Sequence, residues 1–115
     1  MKYIVVNTDG FSIADWKEDC NYNWFKKMVG GYLQAINYFP NQKNIVCVLN
    51  EEGKLKNLPL TCYTAAGQVL RGTVIICGIR SKSTNCKDGG GEEFCGLTEE
   101  QADRVYKTLI EFYHA

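Results

Sequence analysis

Apolar and polar positions along the chain fall into short blocks with two different periods. Residues 2–6 are β-rich and alternate loosely, and 11–16 form a returning strand. Asp9-Gly10 between them is a hairpin signal, so the two blocks read as an antiparallel pair. Trp24, Phe25 and Met28 then recur at helical spacing behind Asn21, whose side chain can accept an orphan backbone N–H. Gly30-Gly31 stops that short helix. Residues 32–39 return to strand character, with Leu33, Ala35 and Tyr38 as packing positions, and 40–43 read as a loop. The nearly continuous apolar runs 44–49 and 73–79 predict two central strands.

Between those strands the pattern weakens. Gly53 closes a turn at 50–53, and Leu58-Pro59 enforces an extended arm. Residues 61–69 suit a short helix, with Thr61 as cap, Ala65 and Ala66 as good helix formers, and Arg71-Gly72 ending it. Residues 81–93 are polar and carry glycine at 89, 90 and 91, which reads as a flexible connection or as a lid over a ligand. The last helix, 98–113, has the clearest signature. Thr98 and Gln101 form a capping box, Glu99 and Glu100 favour the positive end of the helix dipole, and Ala102, Val105, Tyr106, Leu109 and Tyr113 make an apolar stripe. With no repeat or linker in view, the pattern predicts one α+β domain over 1–115. It is a mostly antiparallel sheet with helices packed on one face.

Composition narrows the function classes. The chain has 115 residues, 45% of them hydrophobic, enough for an independent core. Thirteen basic residues balance thirteen acidic ones without a basic stripe, which argues against a nucleic-acid polymer as partner. A small anionic ligand stays open, because two or three arginines in one pocket suffice for it. No segment approaches twenty apolar residues, so no membrane partner is expected. The short apolar run at 3–6 is no signal-peptide core, and the expected location is the cytoplasm. The six cysteines are then read as reduced thiols, with Cys47 and Cys77 as core residues and Cys86 and Cys95 flanking the glycine-rich stretch.

Candidate chemistry is sparse. The one histidine, His114, stands next to the end of the sequence. The carboxylate pairs Glu51-Glu52 and Glu92-Glu93 sit in turn or loop sequence, where burial is not expected to shift their pKa. No phosphate-loop spacing occurs. The expectation is therefore no catalytic residue, no metal and no cofactor. Three arginines, Arg71, Arg80 and Arg104, stand against ten lysines. Each offers a planar fork suited to phosphate, or else an ordinary surface ion pair. Phe11, Trp16, Tyr63 and Phe94, near chain turns, are candidates to stack a base or to pack.

The strings MKYIVVNTDG, MVGGY, NIVCVLNEEGKLKNLPLT, LRGTVIICG and GLTEEQ follow one another over nearly the whole chain. In that series the protein resembles a family of small proteins of unassigned domain type found in bacteriophages and mobile elements of Firmicutes. Among phage proteins of this size it is also similar to sponges of the first Thoeris anti-defence type. The resemblance implies a non-enzymatic protein that sequesters a cyclic nucleotide immune signal, a cyclic ADP-ribose isomer or a cyclic oligonucleotide, without cleaving it. It further implies a homodimer or higher homo-oligomer with its pocket between subunits. By residue type, the arginines Arg71, Arg80 and Arg104 would take phosphates, Tyr63 or Phe94 the adenine, and Asn50 and Thr64 the ribose. The competing expectation is a protein–protein inhibitor or adaptor, which would need an exposed apolar patch.

Overall fold

Gly10 turns the chain with φ +136°, and β1 (Lys2–Asn7) pairs antiparallel with β2 (Gly10–Asp15). The computed structural model that shows this describes residues 1–17, 20–53, 56–81 and 92–113. Asn21 caps α1 (Tyr22–Val29) as its side chain predicts. Its Oδ1 accepts the Trp24 N–H at 3.1 Å, and Gly30 closes the helix in the left-handed region. Next come β3 (Leu33–Phe39) and β4 (Gln42–Asn50), joined by a tight turn, so the second strand starts inside the block read as a loop.

The chain continues through β5 (Leu60–Tyr63), β6 (Val69–Arg71), β7 (Val74–Ser81), β8 (Glu92–Cys95) and α2 (Glu99–Tyr113). The main sheet has the order β2-β1-β7-β4-β3, with β8 also on β7, and every pairing is antiparallel. Its centre is β7, which holds β1 through Ile4↔Ile76 and β4 through Cys47↔Ile76. Lys2 and Leu97 exchange two backbone hydrogen bonds of 2.7 and 2.8 Å, tying β1 to the chain entering α2. The predicted capping box forms in full: the Gln101 N–H donates to Thr98 Oγ1 at 3.1 Å, and the Thr98 N–H to Gln101 Oε1 at 2.9 Å.

The α+β class, the mostly antiparallel sheet and the C-terminal helix stand as the sequence predicts. Three local expectations are corrected. The helix expected at 61–69 is the hairpin β5–β6. Thr64 and Gln68 close its turn with Gly67 at φ +91°, and a strand-forming Thr-Cys-Tyr outweighs the two alanines. The polar stretch 81–93 ends in strand β8, which pairs residues 92–95 with 78–81 of β7. The helices do not share a face. The α2 side buries Ile4, Val6, Tyr38, Cys47, Leu70, Ile76, Val105 and Leu109, whereas Phe25 and Val29 of α1 pack on Val46, Val48, Ile75 and Cys77 behind it. Successive residues of a strand point to opposite faces, so a strand apolar at every position needs cover on both. The glycine run at 89–91, Cys86 and His114 lie outside the described residues.

Candidate functional site

The α2 side of the sheet is covered by two pieces, and a groove opens where the second meets the sheet edge. Helix α2 lies over β1 and touches β5, while β6 approaches β4. The groove encloses about 500 Å³. Ile36 and Leu49 form an apolar floor, Val69 and Arg71 a wall from β6, and Gln34 and Gln68 supply uncharged amides. The turn after β4 closes one end with Asn50, Glu51 and Gly53.

Arg71 is the groove's cation among the described residues lining it. It is half-buried, and its Nη1 donates to the Leu58 carbonyl at 3.1 Å. That one bond fixes the guanidinium and leaves its other N–H donors without a protein acceptor among the described residues. Gly53 lets the turn come close, since a Cβ there would stand 3.3 Å from the Asn50 carbonyl oxygen and 3.5 Å from Arg71 Cβ.

Asn50 is 4% exposed, and both ends of its amide are bonded to the fold. Its Nδ2 donates to the Val29 carbonyl at 3.3 Å, and its Oδ1 accepts the Glu52 N–H at 2.8 Å. It therefore joins the end of α1 to the groove's end turn. A Cβ at Gly31 would come within 2.9 Å of that Nδ2, so the glycine keeps this joint free of collision. Thr64 is also buried, and its hydroxyl accepts the Gln68 N–H at 3.1 Å, placing it behind the groove wall, where it positions Gln68. Tyr63 pairs with Val69 in register, so its ring shares the outer face of the hairpin with Val69 and Arg71.

The other predicted site residues are not brought here. Strand β7 leaves Ile45 at Gly78 and runs on to Arg80, about seven strand positions or roughly 23 Å from the Asn50 end. There Arg80 Nε meets Glu93 Oε1 at 3.0 Å, an exposed ion pair. The Arg104 guanidinium lies 4.8 Å from the Phe39 ring, at the end of β3 remote from the groove. Phe94 packs on Phe25 on the α1 side of the sheet, with ring centroids 4.7 Å apart, half-buried against the core there. A clamp of two or three arginines is thus not assembled within one chain.

Sequence reasoning missed Gln34, Gln68 and Glu51. Gln34 carried a signal: it shares strand parity with Ile36 and Tyr38, both on the covered face, and a polar residue in that phase marks an opening.

Three thiols, Cys47, Cys62 and Cys77, are buried in the core. Burial pushes the Cys62 thiol up to about 12 and the Cys47 thiol well above its usual range. Cys77 is raised by the same cause, with nearby Cys95 and Cys20 adding to it. Among the described residues no group of three His, Cys, Asp or Glu side chains is placed to hold a metal ion. No helix among them is long and apolar enough to cross a membrane.

Fold and groove together define a small antiparallel α+β domain with a cleft at a sheet edge. The chain belongs to the family described as Domain of unknown function (DUF3846), whose model matches residues 1–110. No curated protein and no solved structure matches it significantly.

Proposed function

We propose that the protein binds a small phosphate-bearing cyclic nucleotide in the groove beside β6 and holds it without reaction. Arg71 carries this reading: a half-buried guanidinium, fixed by the Leu58 carbonyl, faces a cleft with an apolar floor and two uncharged amides. The volume, about 500 Å³, is in the range of small-molecule sites. A planar base fits between Ile36, Leu49 and Val69, its edge within reach of Gln34 or Gln68, with its phosphate on Arg71. Sequestering an adenine-type cyclic nucleotide signal, in the manner of a phage anti-defence sponge in the host cytoplasm, is the biological form of this proposal. Tyr63 and Val69 stand exposed on the hairpin that walls the groove, and a homodimer burying them is the assembly this reading expects.

The same face supports a second reading. Leu60, Tyr63 and Val69 are 45%, 37% and 45% exposed on one hairpin, an apolar surface suited to a protein partner.

The test is a thermal-shift panel of 3′,5′-cyclic AMP, cyclic di-AMP and cyclic ADP-ribose, followed by heat release and analysis of what comes off. Binding at a hundredfold excess over Kd stabilises by about 2.7 kcal/mol, a rise of several degrees for a chain this size. Intact ligand is expected on release. Arg71→Ala should abolish the shift and Arg80→Ala should leave it unchanged. No shift with any ligand, or release of an altered product, overturns the proposal.

A further inference from the structure

We infer that the groove selects phosphate by charge, accepting an internal diester, which carries one negative charge per phosphorus, and rejecting a terminal monoester. The inference rests on the nucleotide-binding reading of the same groove and deepens it. Its ground is that Arg71 and Glu51 both line the groove. Of the described residues lining the groove, these two are the charged ones, and they are of opposite sign. The neighbouring pair does not change the balance, because Lys56 Nζ meets Glu52 Oε2 at 3.6 Å on the same turn. Gln34, Gln68 and Asn50 add dipoles and no charge.

A phosphodiester brings one ionised oxygen, which one guanidinium neutralises with two parallel N–H···O bonds. A terminal phosphate monoester carries nearly two charges at pH 7, since its second pKa is about 6. Among the described residues lining the groove the second charge would find no further cation, and it would meet the like charge of Glu51 at the groove's end turn, a repulsion that grows as the ligand displaces water from the cleft. The site therefore discriminates through a repulsive element beside its attractive one. Cyclic nucleotides and other molecules with phosphates at both ends esterified belong to the accepted class. Their hydrolysis products, ending in a monoester, belong to the rejected one.

The experiment compares 3′,5′-cyclic AMP with 5′-AMP by calorimetric titration of the full chain and of Glu51→Gln. For the natural sequence, 5′-AMP should bind at least about 10-fold more weakly at pH 7.5. In Glu51→Gln that gap should shrink, with the gain falling mainly on 5′-AMP. Lowering the pH from 7.5 to 5.5 protonates the monoester to its monoanion, so 5′-AMP should tighten while cyclic AMP stays level. Glu51 is exposed and makes its Tyr32 contact through the backbone N–H, so the variant keeps the fold. Equal or tighter binding of 5′-AMP, or a gap unmoved by both Glu51→Gln and pH, overturns the charge filter while leaving nucleotide binding in place. Binding of neither compound overturns the filter, and overturns the nucleotide reading as well where cyclic di-AMP and cyclic ADP-ribose also give no thermal shift.

Discussion

The two faces of the sheet are built from different material, and the cleft lies on the one that is covered in pieces. Behind the sheet, α1 has eight residues and buries only Phe25 and Val29. Aromatic rings do the rest: Phe25 lies 5.0 Å from Trp24, 5.9 Å from Trp16 and 4.7 Å from Phe94 between centroids, and Tyr3 meets Trp24 at 5.2 Å. In front, mostly aliphatic and thiol side chains pack around the buried Tyr38 beneath α2 and the β5–β6 hairpin, with Phe11 and Phe39 at the margin. Rings seal a small area with few residues. Two separate covers leave a seam, and the groove with Arg71 opens along it.

The largest expected effect separates the faces by pH. Cys47 and Cys62 sit in front and Cys77 behind, all raised by burial. A group whose folded pKa lies above its unfolded value stabilises fully below the unfolded value, near 8.5 for a thiol, and loses that contribution as pH rises toward the folded value. Stability should be level below about pH 8, then fall by up to about 4 kcal/mol per pH unit once all three thiols ionise in the unfolded chain. Denaturant midpoints from pH 7 to 11 measure this. Cys62→Ala should make the decline shallower, and a midpoint level to pH 10.5 would refute the account.

Next in size are the hubs of the two faces. Phe25→Ala should cost about 3–5 kcal/mol, because four other aromatic side chains rely on its ring directly or in turn, and Leu109→Ala about 2–4 kcal/mol. Urea unfolding gives both. A cost for Phe25→Ala below 2 kcal/mol would mean the aromatic side is not a packed core. Smaller still is Asn50→Ala, at about 1–3 kcal/mol, since it leaves the Val29 carbonyl and the Glu52 N–H without partners. This variant should also weaken any ligand held at the groove by loosening its end turn. Tyr38→Phe should be smallest and of opposite sign. The Tyr38 hydroxyl is buried with no hydrogen-bond partner among the described residues, so removing it should be neutral or stabilise by up to about 1 kcal/mol. A loss above 1 kcal/mol would reveal a buried water or thiol bonded to that hydroxyl.

Sequence legibility follows the same division. The central strands, both caps of α1 and the α2 capping box were readable because each rests on a local rule about one backbone group or one period. The hairpin β5–β6 was not, since strands of four and three residues are too short to show a period of two, and Ala65-Ala66 points locally to helix. Placement of the helices was half legible. The unbroken runs at 44–49 and 73–79 already demanded burial on both faces, yet nothing local says which helix takes which side. Of the residues singled out by type, Arg71 and Asn50 fall on the candidate groove and Tyr63 lies on the hairpin beside it. Arg80, Arg104 and Phe94 were chosen on the same grounds and lie elsewhere, because convergence depends on strand register that spacing along the chain does not encode.

The position of β7 has a consequence for biosynthesis. The hairpins β1–β2 and β3–β4 emerge from the ribosome early, but they meet only through a strand that spans residues 74–81. Until that strand has been translated, each hairpin presents the open edge that β7 will later occupy, the kind of template on which nascent chains stick to one another. Slow, late closure of the sheet is built into this strand order. A holding chaperone would shield that edge during the interval, while an early docking of α1 on its own hairpin would cover the apolar face at Val46 and Val48.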